Sequence, residues 1–382
     1  MNLSISGRQL LQNMLAGESW ERIGLDEGFW PETLDAWVEQ GYPTRTIGSG
    51  EDEQRVPEEP ANVFPLDLRK CGGFFDTEPI FGIEEVLEET DEWVVRRNGA
   101  GATLKWWKER SGTPEHVAFD MNSREIWERE YRSHLLSVDR RRFNGKWWEP
   151  RTLQGDLADL KAARAHGQWA WYGHVFVWEV MRSTLGDLSM YENLILDEGW
   201  IRDFNRVYTD FFKGHFALLF QENGLPDGVL ILDDLAYKMG LFASPDVMRR
   251  LFMPYYAEIV EFFHGYDLPV FFHSDGNVRE LVPLILEAGF VGLNPMEAKA
   301  GNDLLELADL YGDQLIFYGG LDVRVLETND RSTIRREAVR LIDGMKERNA
   351  RWVFGSDHTV TPLVSYDTYR FLLDVYDEHK AV

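Results

Sequence analysis

The sequence predicts an α/β protein: a (β/α)8 TIM-type barrel carrying an inserted N-terminal elaboration that contains a β-hairpin. Three observations lead there. Short apolar runs end abruptly in acids or histidines: GVLIL (228–232) runs into Asp233-Asp234, LPVFF (268–272) into His273-Ser274-Asp275-Gly276, and FVGL (290–293) into Asn294-Pro295-Met296-Glu297. LIFY (315–318) runs into Gly319-Gly320-Leu321-Asp322, and WVF (352–354) into Gly355-Ser356-Asp357-His358. A strand covered on both faces reads as continuously apolar, so only its carboxyl end offers polar groups. The segments between these runs are helical in period, with starts such as Ser244-Pro245-Asp246. Strand, polar loop and helix then repeat in that order, which describes a barrel with its active site at the carboxyl ends of the strands.

From the amino end, Leu10, Leu11, Met14 and Leu15 stand at helical spacing and Gly17 is a stop. Ile23 to Leu25 makes a first strand ending at Asp26-Glu27, and Pro31 opens a short helix, where its missing N–H costs nothing. Residues 42–66 hold Gly48, Gly50, four prolines and a run of acids without periodicity, and read as a long surface loop that orders against a partner. Alternation over Trp93–Arg97, a Gly99-Ala100-Gly101 turn and Thr103–Lys108 predict an antiparallel hairpin, foreign to a pure barrel. We therefore read a single β/α-barrel domain over 1–382, with 42–150 as an elaboration packed on it. Its Trp93, Trp106, Trp107, Trp127, Trp147 and Trp148 line a pocket or a dimer interface, or form a minor core. From Asp156 the rhythm resumes with a helix to about 166, WAWYGHVFVW (169–178) and a helical segment to Phe220. GSG (48–50) and GAG (99–101) neither follow a strand nor open a helix, so neither is a dinucleotide loop. No serine nucleophile elbow is present, and no motif flanks Cys71.

With 382 residues, 44% of them hydrophobic, the chain can bury one large core. Lys and Arg total 40 against 65 Asp and Glu, a net charge of −25 that disfavours nucleic acid and anionic membranes as partners. A single cysteine excludes an intramolecular disulfide and any multi-cysteine metal site, and fits a reducing compartment. No apolar run approaches the roughly 20 residues of a bilayer span, and the start MNLSISGRQ lacks a secretory pattern. A cytoplasmic protein acting on a small molecule is the expectation.

Several stretches resemble the uroporphyrinogen decarboxylase superfamily, which includes methylcobamide:coenzyme M and O-demethylation methyltransferases. They are LILDDLAYKMGLFASPDVMRRLFMPYYAEIV (230–260), FFHSDGN (271–277), GFVGLNPMEAKAG (289–301), YGGLD (318–322) and GSDHTVTP (355–362), with GFWPETL and GHVFVWEVMRSTLG matching more loosely. The resemblance implies a β/α barrel, often a homodimer, and leaves the reaction open. The decarboxylase branch carries an arginine-rich loop near its amino terminus that grips substrate carboxylates; here DEGFWPETL is acidic and aromatic. The methyltransferase branch carries a zinc site with a His-x-Cys pair and a later Cys. Here those places read His273-Ser274-Asp275 and Ser356-Asp357-His358, which suits zinc or a harder divalent ion without thiolate ligands.

On that footing His273, Asp275 and His358 form a candidate metal set with open positions. The alternatives are a His273 that hydrogen-bonds Asp275 or Asp322 and fixes its loop, or a metal-free acid/base pair. Asp233 and Asp234 point in opposite directions, one into the cavity and the other capping the next segment or pairing with Lys238. The catalytic candidates are Asp234, Tyr237 as a hydroxyl donor, His273 and His358. The substrate-binding candidates are Glu27, Trp30, Asp233, Asn294, Glu297 and Asp322, with Glu297 also a possible salt-bridge partner of Lys299. The expected activity is methyl transfer between a small methoxylated or methylated compound, or a thiol, and a corrinoid presented by a partner protein. The alternatives are a cofactor-free decarboxylase, and a non-catalytic corrinoid- or tetrapyrrole-binding protein.

Overall fold

The computed structural model describes residues 5–48, 50, 53–109, 112–144 and 152–382. Ser49, Trp147 and Trp148 lie outside the described residues. Eight parallel strands build the barrel: β1 (Gly24–Leu25), β2 (Leu68–Lys70), β3 (Trp169–His174), β4 (Gly228–Leu232), β5 (Val270–His273), β6 (Gly292–Asn294), β7 (Ile316–Tyr318) and β8 (Trp352–Phe354). From β2 to β8 each neighbours the next in sequence, and β8 pairs with β1. Between β1 and β2 the ring is joined through Asp67, whose N–H donates to the Leu25 carbonyl while its carboxylate accepts from the Leu25 N–H, both at 2.8 Å. Arg22 grips the same carboxylate through both terminal nitrogens. This is the predicted barrel.

Strand alternation sorts side chains between two cores. Leu68, Trp169, Leu230, Phe271, Ile316 and Val353 fill the interior, whereas Ile231, Phe272, Leu293, Phe317 and Phe354 face the helices. Gly292 leaves the space that the Phe271 ring occupies, since a Cβ there would lie 2.3 Å from it. The helix Gly7–Ala16 plugs the amino end with Leu10, Leu11 and Met14. It starts at Ser6, whose hydroxyl accepts from the Gln9 N–H, and stops at Gly17 with φ 68°.

The elaboration expected as one block over 42–150 arrives in two pieces, because Leu68–Lys70 inside it is strand β2. The first piece, read as a partner-dependent loop, is a hairpin of Thr44–Ile47 with Gln54–Pro57 followed by a helical turn, Pro60–Val63. Periodicity missed it because its order comes from aromatic packing: Tyr42 and Phe64 are buried against Trp37, 6.0 and 6.3 Å between ring centres. The second piece is a four-stranded antiparallel sheet, Glu84–Glu89, Trp93–Asn98, Ala102–Trp107 and Glu115–Phe119, whose middle pair is the predicted hairpin. Trp127 is fully buried against Phe204, whereas Trp93 and Trp107 flank Lys105 at 4.2 and 4.4 Å. Among the described residues no helix is long and apolar enough to cross a membrane.

Candidate active site

The loops that leave the carboxyl ends of the strands gather most of the predicted polar residues at one mouth. Since Phe271 points into the barrel, His273 two residues on points into the mouth; Leu232 and Asp234 follow the same alternation on β4. The His273 Nε2 lies 3.8 Å from an oxygen of Asp234 and 3.9 Å from one of Asp275. Ligand atoms of these three half-buried residues fall within 4.8 Å of one another. The other ring nitrogen, Nδ1, meets the Asn294 side-chain oxygen across the β5–β6 register. Asn294 then accepts the Nδ1–H and leaves the Nε2 lone pair facing two carboxylates. A lone pair among carboxylates is repulsive until a proton or a cation stands between them, and one imidazole with two carboxylates is a donor set that suits a divalent ion.

The group differs from the set expected, since Asp234 stands where His358 was placed. The reason is strand count: His273 ends the fifth strand, so β8 lies three strands away while β4 is adjacent. His358 nevertheless acts on the group. Burial raises the Asp275 carboxyl, His273 lowers it, Asp234 and Glu297 raise it, and His358 lowers it. The Asp275 N–H donates to Asp234 at 2.8 Å, which holds the two loops together. His358 is half-buried with its ring centre 6.4 Å from that of Trp30.

Other candidates are committed elsewhere. Asp233, expected at the substrate, is fully buried and faces outward. Its carboxylate accepts the N–H groups of Phe176, Trp178 and Glu179, which open the helix Val177–Leu185, and the Tyr256 hydroxyl. It satisfies the orphan donors of a helix start, so neither substrate contact nor Lys238 pairing applies. Asp322 caps Val323–Glu327 and pairs with Arg324, whose hydrogen bonds outweigh burial and hold its carboxyl low. Glu297 accepts the Gly276 N–H at 2.7 Å and pairs with Lys299 at 3.0 Å, so it shapes the 274–277 loop. Asp357 accepts from Ala298 and Val323 and ties together the loops after β6, β7 and β8. Tyr237 is exposed in a two-strand hairpin, Ala236–Tyr237 with Gly240–Leu241, and stacks on Phe242.

A second acidic wall lies at β1, β7 and β8. Burial pushes the Asp26 carboxyl up to about 7 against the lowering effect of the Tyr318 hydroxyl that donates to it. Burial likewise pushes Glu27 up to about 8, although the Ser356 N–H and hydroxyl donate to it at 3.1 and 2.9 Å. Sequence reasoning passed over Tyr318, Ser356 and Glu179. Glu179 stands in the first turn of Val177–Leu185 and pairs with Arg182 at 2.8 Å; burial raises its carboxyl to about 7, and the Asp234 charge adds to the rise. Its signal was a lone acid in the apolar run VFVWEVM, just after a strand end.

A family model described as Uroporphyrinogen decarboxylase (URO-D) matches residues 226–379. No curated protein matches the chain. Among solved structures, a methyltransferase from Methanosarcina mazei superposes with a TM-score of 0.64 at 13% identity, over 98% of this chain and 99% of that one. Dispersin B overlaps 61% of this chain and 78% of its own at 11% identity and a TM-score of 0.37. A xylose isomerase domain protein from Alicyclobacillus acidocaldarius overlaps 58% and 91% at 15% identity and a TM-score of 0.31. The matched segment takes in β4 to β8 and their polar ends, so the likeness to the uroporphyrinogen decarboxylase family lies in the carboxyl-terminal part of the chain.

Proposed function

We propose that the protein is a methyltransferase of this superfamily, exchanging a methyl group between a small methoxylated or methylated compound, or a thiol, and a corrinoid carried on a separate protein in the cytoplasm. The observation that carries the reading is the half-buried group of Asp234, His273 and Asp275 at the mouth, with His273 oriented by Asn294. The Methanosarcina mazei methyltransferase, alike over the whole barrel, adds support. When bound by these three residues, zinc or another divalent ion supplies Lewis-acid polarisation of the reacting oxygen or sulfur. Asn294 keeps the proton on Nδ1 and so leaves Nε2 free as a donor. Tyr237 donates its hydroxyl to a substrate oxygen, His358 moves a proton, and Glu27 and Trp30 hold the substrate from the opposite side. Uroporphyrinogen itself suits this mouth poorly. Arg182, Lys299 and Arg324 are each already paired with an acid, so its carboxylates would meet Asp234, Asp275 and Glu297 without arginine clamps.

One observation favours a second reading, decarboxylation of a smaller acid: Asp26 and Glu27 hold protons near neutral pH and would protonate a carbanion left by departing CO2. One experiment separates the two. Purified protein is analysed for metal, then incubated with methylcobalamin and a panel of thiols while the corrinoid spectrum is followed, with and without chelator. Chelator-sensitive demethylation is the expected result. Stoichiometric absence of metal together with an unchanged spectrum would sink the methyltransferase reading.

A further inference from the structure

At the opposite end of the barrel a groove of about 840 Å³ runs between the plug helix and the starts of β3, β4 and β5. Asp227, just before β4, is buried at its base. One of its oxygens accepts the Ala170 N–H at 2.9 Å. The other meets two guanidinium groups, Arg8 Nε at 2.8 Å and Arg164 Nη2 at 3.3 Å. Two cations share this one buried carboxylate, whereas at the surface Arg279 meets Glu306 singly, through both terminal nitrogens. Arg8 spends only Nε, and Arg164 spends one Nη on Asp227 and on the Leu225 carbonyl, so both retain N–H donors beside the groove. Trp169 and Tyr266 give the walls flat apolar surface, and His264 adds a third nitrogenous group; Asp267 is the one further acid among the lining residues.

We propose that this groove is a second binding site, remote from the mouth, for a small organic oxyanion, a carboxylate or phosphate ester whose oxygens take the spare N–H donors of Arg8 and Arg164 while its body lies against Trp169. A planar guanidinium fork matches such an oxyanion in two parallel hydrogen bonds, and a pair of forks around one buried aspartate is already oriented to accept it. The occupant would complete the charge balance that Asp227 leaves short, and would tie the plug helix to the helix Leu153–His166. Its effect is stabilisation of the folded state by mass action.

Inorganic phosphate and citrate serve as probes, each titrated into the full chain at an ionic strength held constant with sodium chloride, with thermal melts and calorimetry as readouts. The wild-type melting temperature rises with at least one probe beyond the chloride control, and Arg164→Gln weakens that probe's binding by about tenfold or more. Arg206→Gln, on a surface pair far from the groove, leaves binding unchanged. Arg164 is 38% exposed, so its variant carries the test even where Arg8→Gln loosens the plug. A response that chloride reproduces, or that persists in Arg164→Gln, overturns the site.

Discussion

The mouth has two acidic walls, and they do different things with the same side chain. At β4 and β5, Asp234 and Asp275 stand half-buried around an imidazole whose proton Asn294 holds on the far side. At β1, β7 and β8, Asp26 and Glu27 each receive a hydroxyl, from Tyr318 and Ser356, and burial raises them to about 7 and 8. A carboxylate at a strand end is therefore suited to a cation where a lone pair and a second carboxylate face it, and to a proton where hydroxyl donors and apolar packing enclose it. Asp233 and Asp234 repeat the lesson within one dipeptide, since one residue of alternation separates a helix anchor from a member of the site.

The comparison breaks first at His273. His273→Ala is expected to lower metal content and activity by more than about 100-fold, the loss of a ligand exceeding that of an outer partner, while the fold is kept; elemental analysis with circular dichroism checks it. Next is Asp233→Ala, which leaves buried backbone donors unpaired and is expected to destabilise by about 3 kcal/mol in a urea melt. If Asp233 instead served the substrate, activity would fall with stability unchanged. Asn294→Leu removes only the group that orients His273, and metal affinity is expected to drop roughly 10- to 100-fold; a competitive chelator titration measures it. The smallest effect belongs to the second wall. Folded-state values raised above the unfolded ones mean that Asp26 and Glu27 add stability fully present below about pH 4, lost as pH rises through 7 to 8. Melting temperature should therefore decline across that window, and Glu27→Gln should flatten the decline. A profile that Glu27→Gln leaves unaltered would show that the second wall stores no proton.

The sequence by itself determined the barrel, the strands β4 to β8 and the end of each at which polar residues collect. The physical reason is local: burial on both faces demands unbroken apolar runs, and only the strand terminus escapes that demand. It also determined that His273 and Asp275 share a loop. Only the tertiary structure decided which acids join them. Partners such as Asp234, Asn294, Tyr318 and Ser356 come from other strands, and register and strand count, which no local pattern encodes, place them. The same holds for the hairpin at 44–57, ordered beside distant aromatic rings, and for Asp233, whose direction depends on a helix 55 residues earlier in the chain.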